Sequence, residues 1–145
     1  SLGLLTVNAL TASDAIVIPI QCEFYALEGL TQLMNTIKLV KKHLNPNLDV
    51  EGVVLTMKDS RSNLINQVSN EITTFFGKKV FTTAIPRNVR LAEAPSHGVP
   101  IGAYDSSSKG AKAYLALAEE ILKRNNMKYE NATTKIKIDE GENND

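Results

Sequence analysis

"DAIVIPIQCEFYALEGLTQLMNTIKLVKKHLNPNLDVEGVVLTM", residues 14–57, places two compact, β-branched runs on either side of a long amphipathic segment. Asp14–Ile20 and Val50–Met57 are near-continuous apolar runs, the pattern of strands buried on both faces of a parallel sheet. Between them, from Phe24 to Leu44, Leu27, Leu30, Leu33, Met34, Ile37 and Val40 recur at steps of three and four. That spacing predicts a helix with one apolar stripe. Lys38, Lys41 and Lys42 lie off the stripe and near its end, where the helix dipole favours cations. Asn45-Pro46-Asn47 stops it. Strand, helix and strand in succession suit a crossover unit, which argues for two strands running parallel.

The alternation continues on both sides. Leu4, Leu5, Val7 and Leu10 predict a short helix over residues 2–12. After the loop "KDSRSN", with Ser60 or Ser62 as N-cap, Leu64, Ile65, Val68, Ile72, Phe75 and Phe76 predict a second amphipathic helix, closed by Gly77. "KVFTTAIP", residues 79–86, reads as a third strand. "SSSKG", residues 106–110, leads into a final helix whose inward face is expected at Ala111, Tyr114, Leu115, Ala118, Ile121 and Leu122. Periodicity ends at Arg124, and residues 125–145 read as a disordered acidic and polar tail. The expected fold class is α/β, a parallel sheet flanked by helices on both faces.

Composition excludes several classes. Sixteen basic and sixteen acidic residues cancel. The segment from Asn125 onward holds three lysines against five acids, so residues 1–124 carry thirteen basic and eleven acidic groups and have room for a local basic patch. Cys22 is the one cysteine, which excludes an intrachain disulfide and fits a reducing, cytoplasmic setting. No run is long enough to span a bilayer, and no basic start precedes "SLGLLTVNAL" as in a signal peptide. Asn131-Ala132-Thr133 matches a glycosylation sequon and reads as chance. The chain opens in mid-pattern, without Met, and reads as a fragment.

In open parallel sheets ligands gather at the carboxyl ends of the strands. Here those ends are "PIQCEF", "TMKDSR" and "IPRNVR". Two of the three carry arginine: Arg61, then Arg87 and Arg90 three positions apart, with Lys58 beside them. Guanidinium forks on a rigid rim suit phosphate oxygens. Few aromatics and no groove-reading helix accompany them, so the pattern favours sugar-phosphate contact over base readout. The competing reading is that these arginines form surface ion pairs with Asp59 or Glu93. His43 beside lysines reads as solvated surface, His97 as loop packing, and Cys22 as a small buried hydrophobe. Glu23 and Glu28 suit a helix N-terminus, and Met34 and Met57 read as core. No glycine-rich loop ending in Gly-Lys-Ser/Thr occurs, so this sequence lacks the element that cradles a nucleoside triphosphate.

The text "SLGLLTVNALTASDAIVIPIQCEFYALEGLTQLMNTI", "GVVLTMKDSRSNL", "VFTTAIPRNVRLAEAPSHGVPI" and "YDSSSKGAKAYLALAEEIL" resembles the carboxyl half of the ParA/Soj chromosome-partitioning ATPases, in the deviant-Walker group that includes MinD. The resemblance covers residues 1–124. It implies a P-loop NTPase-like fold, here a partial domain lacking the Walker A strand and loop. Ser1 resembles the serine that closes a Pro-Pro-Ser after the Walker B aspartate, which leaves both motifs outside this chain. The resemblance therefore implies no catalytic or metal-ligating residue here, and an inactive chain when alone. It implies ATP and Mg as cofactors of the whole protein, with phosphate and Mg ligands lying elsewhere. An ATP-bound homodimer is expected to bind double-stranded DNA without sequence preference on the nucleoid. A centromere-binding ParB/Spo0J-type partner is expected to stimulate hydrolysis and release it. By the same resemblance, the DNA-contacting arginines map to Arg61 and Arg90, with Arg87, Lys109 and Lys112 as additional contacts. The adenine pocket maps to Thr56, Met57, Pro86, Asn88 and Val89.

Three alternatives stand beside this. A MinD-like membrane-positioning ATPase needs a basic amphipathic tail, whereas the tail here sets Met127, Tyr129, Ile136 and Ile138 among acids. A nitrogenase-iron-protein-like reductase needs cluster-ligating cysteines beyond Cys22. A truncated, inactive interaction module would expose a sheet edge and apolar helix faces.

Overall fold

The computed structural model describes residues 3–126. Residues 127–145, where most of the expected tail falls, lie outside the described residues. The elements run α1 (Leu4–Ala12), β1 (Ala15–Gln21), α2 (Ala26–His43), β2 (Asp49–Thr56), α3 (Asn63–Phe76), α4 (Val89–Glu93), α5 (Ile101–Tyr104) and α6 (Lys109–Arg124).

β1 and β2 pair in parallel, from Ala15 with Asp49 to Gln21 with Thr56, across the α2 crossover. The register slips by one residue between Ile16 and Val17, so Glu51 is the extra residue of a bulge. β2 is covered on both faces. Val53 and Leu55 join Ile18, Ile20, Leu30, Ile37, Val40, Val68 and Ile72 in one apolar cluster under α1, α2 and α3. Val54 points the other way and packs with Phe81, Ile85 and Leu117 of α6. Each such side chain, fully buried, contributes about 1.5–3 kcal/mol.

Four expectations need correction. β1 is not buried on both faces: Ile18 and Ile20 are inside, while Val17, Pro19 and Gln21 are exposed. The α6 layer reaches β2 and the 80–86 segment, which leaves the second face of β1 open. Pro19 has no N–H to donate to a ladder, and among the described residues β1 pairs only with β2.

The run at residues 79–86 lies parallel beside β2 but forms two isolated bridges, Val53 with Val80 and Lys58 with Pro86, in place of a continuous strand. Phe81 N–H donates to Val53 O and Ile85 N–H to Leu55 O, both at 2.8 Å. Between them, the amides of Thr82 and Thr83 donate instead to the two carboxylate oxygens of Glu120, each at 2.8 Å. A side chain on α6 takes the place of part of the ladder.

That capture also rotates α6. Gly110, Ala111 and Leu117 are its buried positions, whereas Tyr114, Leu115 and Ala118 are exposed. Glu120 and Arg124 occupy the inward face because both find main-chain partners there: Arg124 Nη2 donates to Val80 O at 2.9 Å and to Glu120 at 2.8 Å, and its guanidinium lies 4.2 Å from the Phe81 ring centroid. On α3 the expected stripe narrows to Val68 and Ile72, flanked by half-buried Ile65 and Phe76, with Leu64 and Phe75 exposed. Ser62 is its N-cap, accepting from Ile65 N–H, and Gly77 closes it at φ +55°.

Candidate functional site

β2 and the 80–86 segment end at one level, and their loops are stitched together. Lys58 N–H donates to Ile85 O at 3.1 Å, and Arg87 N–H returns to Lys58 O at 3.2 Å. Met57, the residue that turns out of β2, adopts φ +54°. For an unbranched but bulky side chain this left-handed conformation is uncommon, and it needs the surrounding bonds to hold it. Past the bridge, Asn88 starts α4 from an extended conformation, with its carbonyl accepting from Leu91 N–H at 3.1 Å.

A cleft of about 520 Å³ opens at this corner. Thr56, Met57, Pro86, Asn88 and Val89 all line it, together with Arg87. Gln21, Leu91 and Tyr114 also line it, and sequence reasoning missed them. Gln21 carried a signal, as the last residue of the first strand. Tyr114 was expected inside the α6 layer and instead stands at the rim, because the helix is rotated by its Glu120 and Arg124 contacts. Asn88 Oδ1 is buried without a hydrogen-bond partner. A buried acceptor left open costs about 1–3 kcal/mol unless something donates to it.

The cations of the rim are arranged unequally. Arg61 is held by Asp59 in a two-bond fork, Nε to Oδ1 and Nη2 to Oδ2, both at 3.0 Å, while its side chain remains 89% exposed. The Arg61 side chain, reinforced by its own backbone N–H, holds the Asp59 carboxyl down at about 2. Arg90 Nη1 donates to Glu93 Oε2 at 3.0 Å, and its Nε lies 3.5 Å from Asp105 Oδ2. Tyr104 O–H donates to the same Glu93 oxygen at 3.0 Å, and with Arg90 it lowers the Glu93 carboxyl. Asp105 is lowered chiefly by the Ser107 hydroxyl. The ion pairs to Asp59 and Glu93 envisaged as the competing reading are therefore both present.

Arg87 is exposed and makes no salt bridge among the described residues. Lys109 and Lys112 are exposed on the first turn of α6 and likewise carry no salt bridge there. His97 stacks on Tyr104 with centroids 4.9 Å apart, as loop packing requires. Cys22 is 1% exposed, and burial pushes its thiol up, partly offset by Lys58. Among the described residues no group of three or more His, Cys, Asp or Glu could hold a metal ion. No described helix is long and apolar enough to cross a membrane.

Comparison with known proteins gives this corner a context. The sporulation initiation inhibitor protein Soj of Bacillus subtilis is 64% identical over 121 residues, 83% of this chain and 48% of that protein. Over most of its length this chain is similar to the Soj and ParA partitioning proteins. The chromosome partitioning protein ParA of Myxococcus xanthus is 58% identical over 128 residues, covering 88% of this chain and 45% of its own. The Soj of Treponema pallidum, 52% identical over 124 residues (86% of this chain and 49% of its own), is a chromosome-partitioning ATPase. A family model described as an AAA domain matches residues 1–50. The cobyrinic acid a,c-diamide synthase of Mycobacterium smegmatis, solved with a bound ATP analogue and magnesium, superposes with a TM-score of 0.68 at 34% identity, over 85% of this chain and 44% of its own. The chain spans about half the length of the curated relatives it matches. The parallel sheet flanked by helices is shared with these P-loop NTPase-like neighbours.

Proposed function

We propose that residues 1–124 form the carboxyl half of a ParA/Soj-type partitioning ATPase domain, with a nucleotide-base pocket and a DNA-phosphate surface side by side at the strand mouth. The observation that carries this reading is their adjacency. The cleft lined by Thr56, Met57, Pro86, Asn88 and Val89 opens between the loops that bear Arg61, Arg87 and Arg90, and the Lys58–Pro86 bridge ties those loops together.

The cleft fits an adenine base in its chemistry. Pro86, Val89 and Met57 offer apolar surface to a planar ring, and Asn88 brings a side-chain amide to the same lining. When bound, ATP supplies the phosphate whose hydrolysis makes dimer closure reversible. Its phosphates and Mg fall to residues outside this chain. On the outer side Arg61 and Arg90, with Arg87, Lys109 and Lys112, donate to backbone phosphates of double-stranded DNA without reading sequence. The homodimer closed over ATP holds DNA on the nucleoid, and hydrolysis stimulated by a ParB/Spo0J-type partner releases it. One rigid corner serves both ligands, so closure around one can be felt by the other.

The experiment is a pair of charge reversals in the intact protein. Arg61→Glu with Arg90→Glu should abolish binding to a labelled nonspecific duplex while Mg-ATP binding stays largely intact. Unchanged DNA affinity overturns the DNA assignment. Loss of ATP-dependent dimerisation with DNA affinity spared overturns the division of roles. Asn88→Ala should weaken nucleotide binding, and wild-type affinity would remove Asn88 from the base pocket.

A further inference from the structure

The two arginines best placed for phosphate are both already neutralised by carboxylates. Asp59 takes two donors of Arg61, and Glu93 and Asp105 flank Arg90 at 3.0 and 3.5 Å. Around the mouth, Lys58, Arg61, Arg87 and Arg90 are opposed by Asp59, Glu93 and Asp105, leaving four cations a net charge of +1. All three carboxyls are shifted downward, so they stay ionised at neutral pH. Sequence spacing alone could not show this: Asp105 lies fifteen residues from Arg90 and meets it through the turn before α6.

We propose that Asp59, Glu93 and Asp105 are counter-charges that limit DNA affinity, so that the rim holds duplex weakly enough for ATP hydrolysis to release it. The inference rests on the DNA reading above. A guanidinium has five donors, and neither arginine is used up: Arg61 keeps Nη1 and Arg90 keeps Nη2 for a phosphate. Each phosphate that docks, however, arrives a few ångströms from a carboxylate that does not leave. Its attraction to the guanidinium is offset by repulsion from the acid. Fewer counterions are released than a rim of bare arginines would release, and the salt dependence is shallower. An attachment that must be broken repeatedly gains from this restraint, because affinity differences of one interface appear mainly in the off-rate.

Asp59→Asn and Glu93→Gln keep size and one accepting oxygen while removing charge and, at Asp59, the second acceptor of the fork. Each should raise affinity for a nonspecific duplex about 3–10-fold at low salt, by the Coulomb attraction no longer cancelled. The double variant should steepen the log–log salt slope by about one unit per freed guanidinium. Asp59→Glu, which retains the charge, should keep the wild-type slope, and melting temperatures should fall only slightly because both carboxylates are partly exposed and their ion pairs screened. Affinity that is unchanged or lower in Asp59→Asn and Glu93→Gln overturns the proposal; a fall would make the acids positioning groups. If Arg61→Glu with Arg90→Glu also leaves DNA binding intact, the DNA reading itself has failed, and the two failures are distinct.

Discussion

Gly110→Ala tests how α4 is held. A Cβ at Gly110 would lie 2.5 Å from Leu91 Cγ and 2.9 Å from each Leu91 Cδ, distances that van der Waals radii forbid. On an unobstructed helix the change gains up to about 1 kcal/mol from helix propensity. Forcing a methyl into a filled contact costs about 1–3 kcal/mol. The balance is a net loss of up to about 2 kcal/mol, or up to about 6 °C in Tm for a domain of this size. Urea and thermal unfolding of the intact protein measure it. Leu91→Ala removes the obstructing side chain, so the double variant should lose less than the sum of the singles, with a coupling of about 1 kcal/mol. Because Leu91 lines the cleft and follows Arg90 on α4, nucleotide affinity should fall with Gly110→Ala as well. A variant more stable than wild type, or strict additivity with Leu91→Ala, would refute the contact.

Gly52→Ala should cost at least as much as Gly110→Ala in the same unfolding assay, because its Cβ would run into the edge of the Phe81 ring, with Cζ at 2.6 Å, and lie 3.0 Å from the main-chain oxygen of Lys79. Glu120 is set by burial, which raises its carboxyl, against the Thr82 and Thr83 amides, which together with Arg124 hold it at about 2. Since its folded value lies below the ordinary 4.5, the stability it contributes is present above that pH and is lost as pH falls from 4.5 toward 2. A shift of this size corresponds to about 3 kcal/mol, reduced to about 1–2 kcal/mol by solvent screening. Glu120→Gln should flatten the acid limb of stability between pH 5 and 3, and an unchanged slope would count against the clamp. Ser108→Ala removes the hydroxyl that caps α6 at Ala111 N–H and should cost about 1 kcal/mol by chemical unfolding.

The alternating order of elements, an N-cap at Ser60 or Ser62 before α3, and the stripe of α2 were legible along the chain because they depend on local chemistry: periodicity, capping and chain-breakers. So was the cluster of arginines at the strand mouths. The structure chose Ser62 and added the Ser108 cap of α6. Tertiary structure alone decided three matters. Which face of α6 turns inward depends on Glu120 and Arg124 finding main-chain partners at residues 80–83, and those partners lie some forty residues away. Whether residues 79–86 form a full strand depends on the same capture. Whether the rim arginines stand bare or paired depends on a turn that brings Asp105 to Arg90. A polar side chain declares itself exposed in sequence until a distant backbone group offers it a bond, and only the folded chain brings that group within reach.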